Sequence, residues 1–336
     1  MTRYFVVPAS VDDADTPSGG NVYDRRVAEG LSVVAVAGAW PRPDTEARAA
    51  LSRTLAGFEE GAVVLLDGLV ACGVPEVVTP HAGRLRLAVL VHLPLADETG
   101  LEPAVAAELD AAERRCLHAV DAVVATGPRA AEDLAARHGL ARVHVVTPGV
   151  DPAPIAPGTD GVSSLLCVAS VTPRKGHDVL VEALARVADV PWRCACVGPA
   201  QATQLARVRA SIGRHGLGDR ISLVGPLSGE PLERAYAVAD LFVLPSRAET
   251  YGMVVTEALA RGIPVVASAV PDALGDGGLL VPPGDVDALS DALRHWFDSA
   301  DRRQRLRDAA RRRRRELSTW DDSVRGLARV LASLRT

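Results

Sequence analysis

At 336 residues the chain has room for about two domains, which excludes a single small one. Its 48% hydrophobic and 24% charged content is that of a globular protein and excludes a largely disordered or fibrous one. A net charge of -5, from 42 acidic and 37 basic side chains, argues against a dedicated nucleic-acid binder and points to small-molecule partners.

The N-terminal stretch MTRYFVVPASVDDAD lacks the basic start, long apolar run and small-residue cleavage site of a signal peptide, and no apolar run reaches 18 residues. The five cysteines are odd in number and form no C-x-x-C pair, which fits a reducing compartment. A soluble cytoplasmic protein is the expectation.

Along the chain, short runs rich in Val, Leu and Ala alternate with Ala/Arg/Glu segments of helical period, the pattern of β-α units around a parallel sheet. Strands are expected at 4–9, 31–37, 62–66, 85–92, 122–126 and 143–147, with helices at 45–59, 102–119 and 129–138. The stretch PGVDPAPIAPGTDG, 148–161, holds four prolines and three glycines and reads as a linker. Strands then resume at 164–169, 193–197, 221–224, 241–244, 265–267 and 279–281. The division expected is a first α/β domain over 1–157, a second over 158–316, and a C-terminal helix within 317–336 with Val324, Leu327, Leu331 and Leu334 at helical spacing.

Doubly wound domains bind ligands at the carboxyl ends of their strands, so the chemistry is sought there. In LFVLPSRAETYGMVVTEALARGIPVVAS, 241–268, a strand ends at Pro245 and a helix begins near Gly252. Free amides of Gly252, Met253 and Val254 suit a phosphate, and Glu249 and Glu257 stand on either side to accept hydrogen bonds from sugar and ribose hydroxyls. Either glutamate taken singly is more simply a loop or solvent-facing residue. In LLCVASVTPRKGHDVLVEAL, 165–184, Arg174 and Lys175 follow a strand; Lys175 is the single lysine against 36 arginines. Two cations there would neutralise a diphosphate more strongly as it leaves, a catalytic effect and not merely an adhesive one. In TPSGGNVYDRR, 16–26, Gly19 and Gly20 would let the backbone approach a phosphate or sugar, with a helix starting near Asn21. The segment lacks G-x-G-x-x-G, which argues against a dehydrogenase. In LAVLVHLPL, His92 closes an apolar strand; such a histidine is more often a structural hydrogen-bonder, yet it is the candidate nearest a reacting sugar.

No D-x-D stands where a metal-dependent transferase needs one, and Asp12, Asp13 and Asp15 read as a solvated turn. The arginine-rich stretch 302–315 ends in five consecutive arginines, Arg311 to Arg315, that surround a helix on all faces. It reads as a solvated helix. Contact with anionic lipid or nucleic acid is the weaker reading, since a bulky apolar face for a bilayer is missing.

The second half resembles the nucleotide-sugar-binding domain of the family 4 glycosyltransferases from about Ser164 to Ala292. The resemblance rests on VTPRKG, on VGP at 197–199, on ISLVGPLSGEPLERAYAVADLFVLPS, on the E-x7-E of Glu249 and Glu257, and on GLLVPPGD at 278–285; in the first half it rests on Gly19-Gly20 and VHLPL. It implies the GT-B fold: two facing Rossmann-like, doubly wound α/β domains with an interdomain cleft and a last helix crossing back to the first domain. It further implies retaining transfer of a hexose from a UDP- or GDP-linked donor, without a metal or other cofactor, to a small-molecule, glycan or lipid-linked acceptor. By the same resemblance Glu257 holds the ribose, Glu249 the donor sugar, and Arg174 and Lys175 the diphosphate together with the 252–254 amides, with His92 beside the sugar. Two departures stand out: Ala169 and Ser170 replace the usual G-R pair, and SAVPDALG, 268–275, replaces the usual G-G-x-P-E. Two other classes share the frame: a nucleotide-sugar epimerase or hydrolase, which needs acid and base groups from the first half where only His92 is evident, and a non-catalytic sugar-nucleotide-binding protein.

Overall fold

The computed structural model describes residues 3–12 and 19–334. Asp13 and Asp15, the segment 16–18 and the side chain of Asp12 lie outside what is described. The chain forms two compact units, one of residues 1–149 with 318–336 and one of residues 150–317.

The first unit holds a six-stranded parallel sheet of β1 (Arg3–Pro8), β2 (Ser32–Val36), β3 (Val63–Asp67), β4 (Arg86–Val91), β5 (Ala122–Ala125) and β6 (His144–Val145) in the order β2-β1-β3-β4-β5-β6. The second repeats the plan with β7 (Ser164–Val168), β8 (Arg193–Val197), β9 (Ile221–Gly225), β10 (Leu241–Leu244), β11 (Val265–Ala267) and β12 (Gly278–Leu280), ordered β12-β11-β10-β7-β8-β9 and also parallel. Central strands such as VVLLD and LFVL are buried at every position, as strands covered on both faces by crossover helices must be. Each unit packs its helices on its own core, including Leu51, Leu66 and Leu117 in the first and Leu184, Phe242 and Trp296 in the second.

Helix boundaries follow local chemistry. Asp44 and Asp285 accept the amides of Ala47 and Ala288 at the starts of Thr45–Gly57 and Val286–Asp298. Thr319 and Asp322 form a reciprocal capping box for Trp320–Ser333. Pro103 and Pro128 open their helices, and Gly139, left-handed at φ 68°, closes the second of these.

Three expectations are corrected. The segment 148–161 is no free linker: buried Asp240 accepts hydrogen bonds from Thr159 N, Thr159 Oγ1, Gly161 N and Ser164 N, and Ala156 N donates to Arg261 O, so its later part is fastened to the second unit. The arginine run is not solvated on all faces. In the helix Ala300–Arg314, Arg303 donates to the carbonyls of Trp296 and Phe297, Arg313 to Asp272 and Ala273, and Arg314 to Ala260 and Ala153. Most of these carbonyls end other helices, whose last C=O groups have no intrahelical donor. Gly19 and Gly20, expected in a loop, are the first residues of the helix Gly19–Val27. Among the described residues no helix is long and apolar enough to cross a membrane.

Candidate active site

In doubly wound sheets a crevice opens where the strand order reverses, because successive crossovers leave in opposite directions. The second sheet reverses between β7 and β10, and the loops after these two strands carry Arg174-Lys175 and Glu249. Lys175 ends a single 3-10 turn, Pro173–Lys175, and Gly176 then adopts φ 65°. A side chain at Gly176 would strike the carbonyl of Pro245, so glycine is required there on both counts and the two loops are held close.

That closeness makes an ion pair. Lys175 Nζ donates to Glu249 Oε1 at 2.5 Å, Ser246 Oγ donates to the same oxygen at 2.7 Å, and Arg174 Nη1 lies 3.9 Å from Glu249 Oε2. The Ser246 carbonyl in turn accepts from Ser268 Oγ at 2.7 Å. The Glu249 carboxylate is nearly buried and the Lys175 ammonium largely so.

The helix Met253–Ala260 begins four residues after Glu249, with Gly252 at φ 88° as its N-cap and no side-chain cap. The third helical amide, Val255 N, turns back to Gly252 O, so those of Met253 and Val254 are the ones the helix start offers to an anion. Val270 packs where a Gly252 side chain would stand, which brings the loop 268–270 against this start. Glu257 lies one turn inside. Its Oε2 accepts from Tyr236 Oη at 2.8 Å, and Arg261 covers the Tyr236 ring at 4.4 Å while donating to the Glu257 carbonyl. Burial pushes the Glu257 carboxyl above its usual range, against the pull of the Tyr236 hydroxyl and the Arg261 charge.

The first sheet reverses at β1 and β3, and a second cluster stands there. His92, just past β4, bonds through Nε2 to Asp24 Oδ1 of the helix Gly19–Val27 at 2.7 Å. Asp67, the last residue of β3, completes a group whose ligand-type atoms lie within 4.8 Å of one another, the one such group among the described residues. Two ligands on one ion stand about 3.3 Å apart for bonds near 2.1 Å; the 2.7 Å contact is a charge-assisted hydrogen bond. The helix start lies against the His92 ring: a Cβ at Gly20 would stand 3.4 Å from it, in ordinary contact. Burial drives the His92 pKa down, but the adjoining Asp24 carboxylate more than reverses this and carries it up to about 9.

The structure therefore gathers Arg174, Lys175, Glu249, Gly252, Met253, Val254 and Glu257 around the second unit's reversal, and Gly19, Gly20 and His92 around the first unit's. Sequence reasoning missed Asp24, Asp67, Tyr236 and Ser246. A carboxylate closing the apolar run VVLLD was a visible signal for Asp67; nothing in NVYDRRV or ERAYAVAD marks Asp24 or Tyr236 as partners of residues far along the chain.

Comparison with known proteins fits this geometry. Residues 163–299 match the family model of glycosyl transferases group 1. A curated relative, the D-inositol 3-phosphate glycosyltransferase of Mycobacterium sp. (strain JLS), is 32% identical over 234 residues, covering 63% of this chain and 51% of its own. The chain thus spans about half the length of that relative. Among solved structures, sucrose-phosphate synthase of Thermosynechococcus elongatus superposes with a TM-score of 0.79 at 20% identity over 99% of this chain and 98% of its own. HepE of Anabaena, crystallised with UDP and glucose, gives 0.77 at 17% identity over 99% and 100%. The chain has the GT-B fold, and its residues 163–299 are similar to the glycosyl transferases group 1 family.

Proposed function

We propose that the protein transfers a hexose from a nucleoside diphosphate sugar to an acceptor hydroxyl with retention of anomeric configuration. The observation that carries this reading is the Lys175–Glu249 pair beside an uncapped helix start: cation, carboxylate and free amides together fit a diphosphate joined to a polyhydroxyl group. HepE, a protein of the same fold, has been crystallised with UDP-glucose, which favours a uridine donor.

In this reading the Met253 and Val254 amides and the Arg174 and Lys175 charges receive the diphosphate, Glu257 takes the ribose hydroxyls, and Glu249 the sugar hydroxyls. As the bond from the anomeric carbon to phosphate breaks, charge grows on the leaving oxygen and its contacts with Lys175 and the helix start strengthen. The acceptor oxygen bonds to the anomeric carbon on the same face, and its proton passes to the departing phosphate oxygen, so no strong protein base is required. The protein's own cations and amides meet the diphosphate charge, and the reading needs no resident metal. Five free cysteines, all buried, suit the cytoplasm.

A thermal-shift screen of UDP- and GDP-sugars tests the donor: a ligand bound only by the folded state raises the melting temperature, by about 2.7 kcal/mol of stability at one hundred times its Kd. The hit is then incubated with acceptors, inositol phosphates among them, with and without EDTA. Release of nucleoside diphosphate, an unchanged anomeric configuration and indifference to EDTA are expected. Absence of both thermal shift and product would refute the reading.

A further inference from the structure

Of the two carboxyls around His92, a structural ion pair would need only one. Asp24 is buried and gives Oδ1 to His92 Nε2, which is enough to fasten the helix Gly19–Val27 to the end of β4. Asp67 is a second buried carboxyl in the same place, and a second negative charge would repel the first. Asp24 Oδ2 is buried with no donor among the described residues, and Asp67 spends one oxygen on the amide of Leu69. An Asp67 that keeps its proton supplies the missing donor and removes the repulsion.

The geometry points to Asp24 and Asp67 as positioning residues that share one proton beneath His92 and hold its ring, in one orientation and positively charged, for the substrate. His92 is the member of the three with solvent access, and the one hydrogen bond described for its ring is at Nε2, which leaves Nδ1–H to meet a ligand. Charged groups facing the ring come from the helix Gly19–Val27 (Asp24) and from β3 (Asp67); Tyr23 meets its edge at 5.4 Å, with the hydroxyl committed to the Val146 carbonyl. The titration of Asp67 and His92 agrees: burial and the Asp24 charge push the Asp67 carboxyl up to about 8, and His92 stands at about 9. Over the neutral range Asp67 therefore keeps its proton and His92 its positive charge. In the transfer reaction such an imidazolium is a charged donor to a sugar or acceptor oxygen.

The role in catalysis rests on the proposed transfer, but the charge state does not, and the two are tested apart. Histidine-labelled full-length protein is titrated by NMR, the His92 signal being identified by its loss in His92→Gln. In the unaltered chain His92 is expected to titrate near 9. In Asp24→Asn it falls by more than two pH units; in Asp67→Asn, which mimics the protonated acid, it moves by less than one; Asp24→Glu, which restores the carboxylate, brings it back to within one. In the transfer assay at pH 8, Asp24→Asn lowers kcat at least tenfold, shifts the alkaline limb by the same two units and leaves the donor KM within threefold. His92 titrating near 6.5 in the unaltered chain, or insensitive to Asp24→Asn, overturns the proposal. A His92 value near 9 in a chain that transfers no sugar overturns the transferase reading and leaves the shared proton standing.

Discussion

Lys175 and Glu249, 74 residues apart in the chain, form an ion pair at 2.5 Å in which both side chains are largely withdrawn from water. The pair joins the loops after the two strands between which the second sheet reverses. A nearly buried carboxylate in such a pair is costly to leave alone, so the free protein holds its only lysine in place and partly neutralised. In the proposed reaction the diphosphate takes over that lysine, and the freed carboxylate turns to the sugar.

Lys175→Ala is accordingly expected to lower turnover by about 10²- to 10³-fold, as loss of a group acting mainly in the transition state does, while weakening donor affinity by less than about tenfold. Glu257→Ala is expected to show the opposite balance, a donor Kd raised more than kcat is lowered. Calorimetry and steady-state kinetics on the two variants separate these patterns; similar profiles would remove the assigned roles.

The arginines of the helix Ala300–Arg314 divide into two kinds. Arg314 donates to the carbonyls of Ala260 and Ala153, and Arg314→Ala is expected to cost about 1–3 kcal/mol by leaving them without a donor. Arg312 is exposed, and Arg312→Ala is expected to stay within about 0.5 kcal/mol of the parent. Urea melts of both decide it, since equal losses would contradict the division.

Ala269 adopts φ 59°, the one non-glycine residue with a left-handed backbone among the described residues. It stands in SAVPDALG, where the resembled family carries a glycine pair. Ala269→Gly relieves about 1–2 kcal/mol of strain against the extra chain entropy of glycine, so a net gain of about 0.5–1 kcal/mol is expected in thermal melts.

The first unit is expected to weaken as pH rises. His92, with a folded value of about 9 against an ordinary 6.5, contributes stability that is present below 6.5 and lost as pH climbs through 9. Asp67, raised from 3.8 to about 8, acts in the same direction, because the folded form holds a proton that the unfolded form has released. Melting temperatures should fall between pH 6.5 and 9, and Asp67→Asn should flatten the lower part of the slope. A curve rising over that range would show that neither proton is held.

The twelve strands were legible as short apolar runs bounded by turn residues; the central ones, lined on both faces, leave the strongest mark, while the edge strands β2, β6, β9 and β12 are partly exposed. Lys175 was legible because one lysine among arginines demands a chemical reason. The partner of His92 was not, since Asp24 sits in a helix whose facing residue follows 68 positions later. The arginine run misled for a related reason: five in a row carry no period, and only the packed neighbours show which of them meet the ends of other helices.

The helix Trp320–Ser333 belongs to the unit that the chain left at Gly149: Trp320 lies 6.2 Å from Tyr23, Arg26 covers its ring, and Ser323 donates to the Thr147 carbonyl. On the ribosome this unit therefore waits for residues 318–336 until the other unit has been made, whereas the unit of residues 150–317 is synthesised without interruption. The later-made half has its whole sequence available first, and the Tyr23 neighbourhood is completed only once Trp320 has emerged.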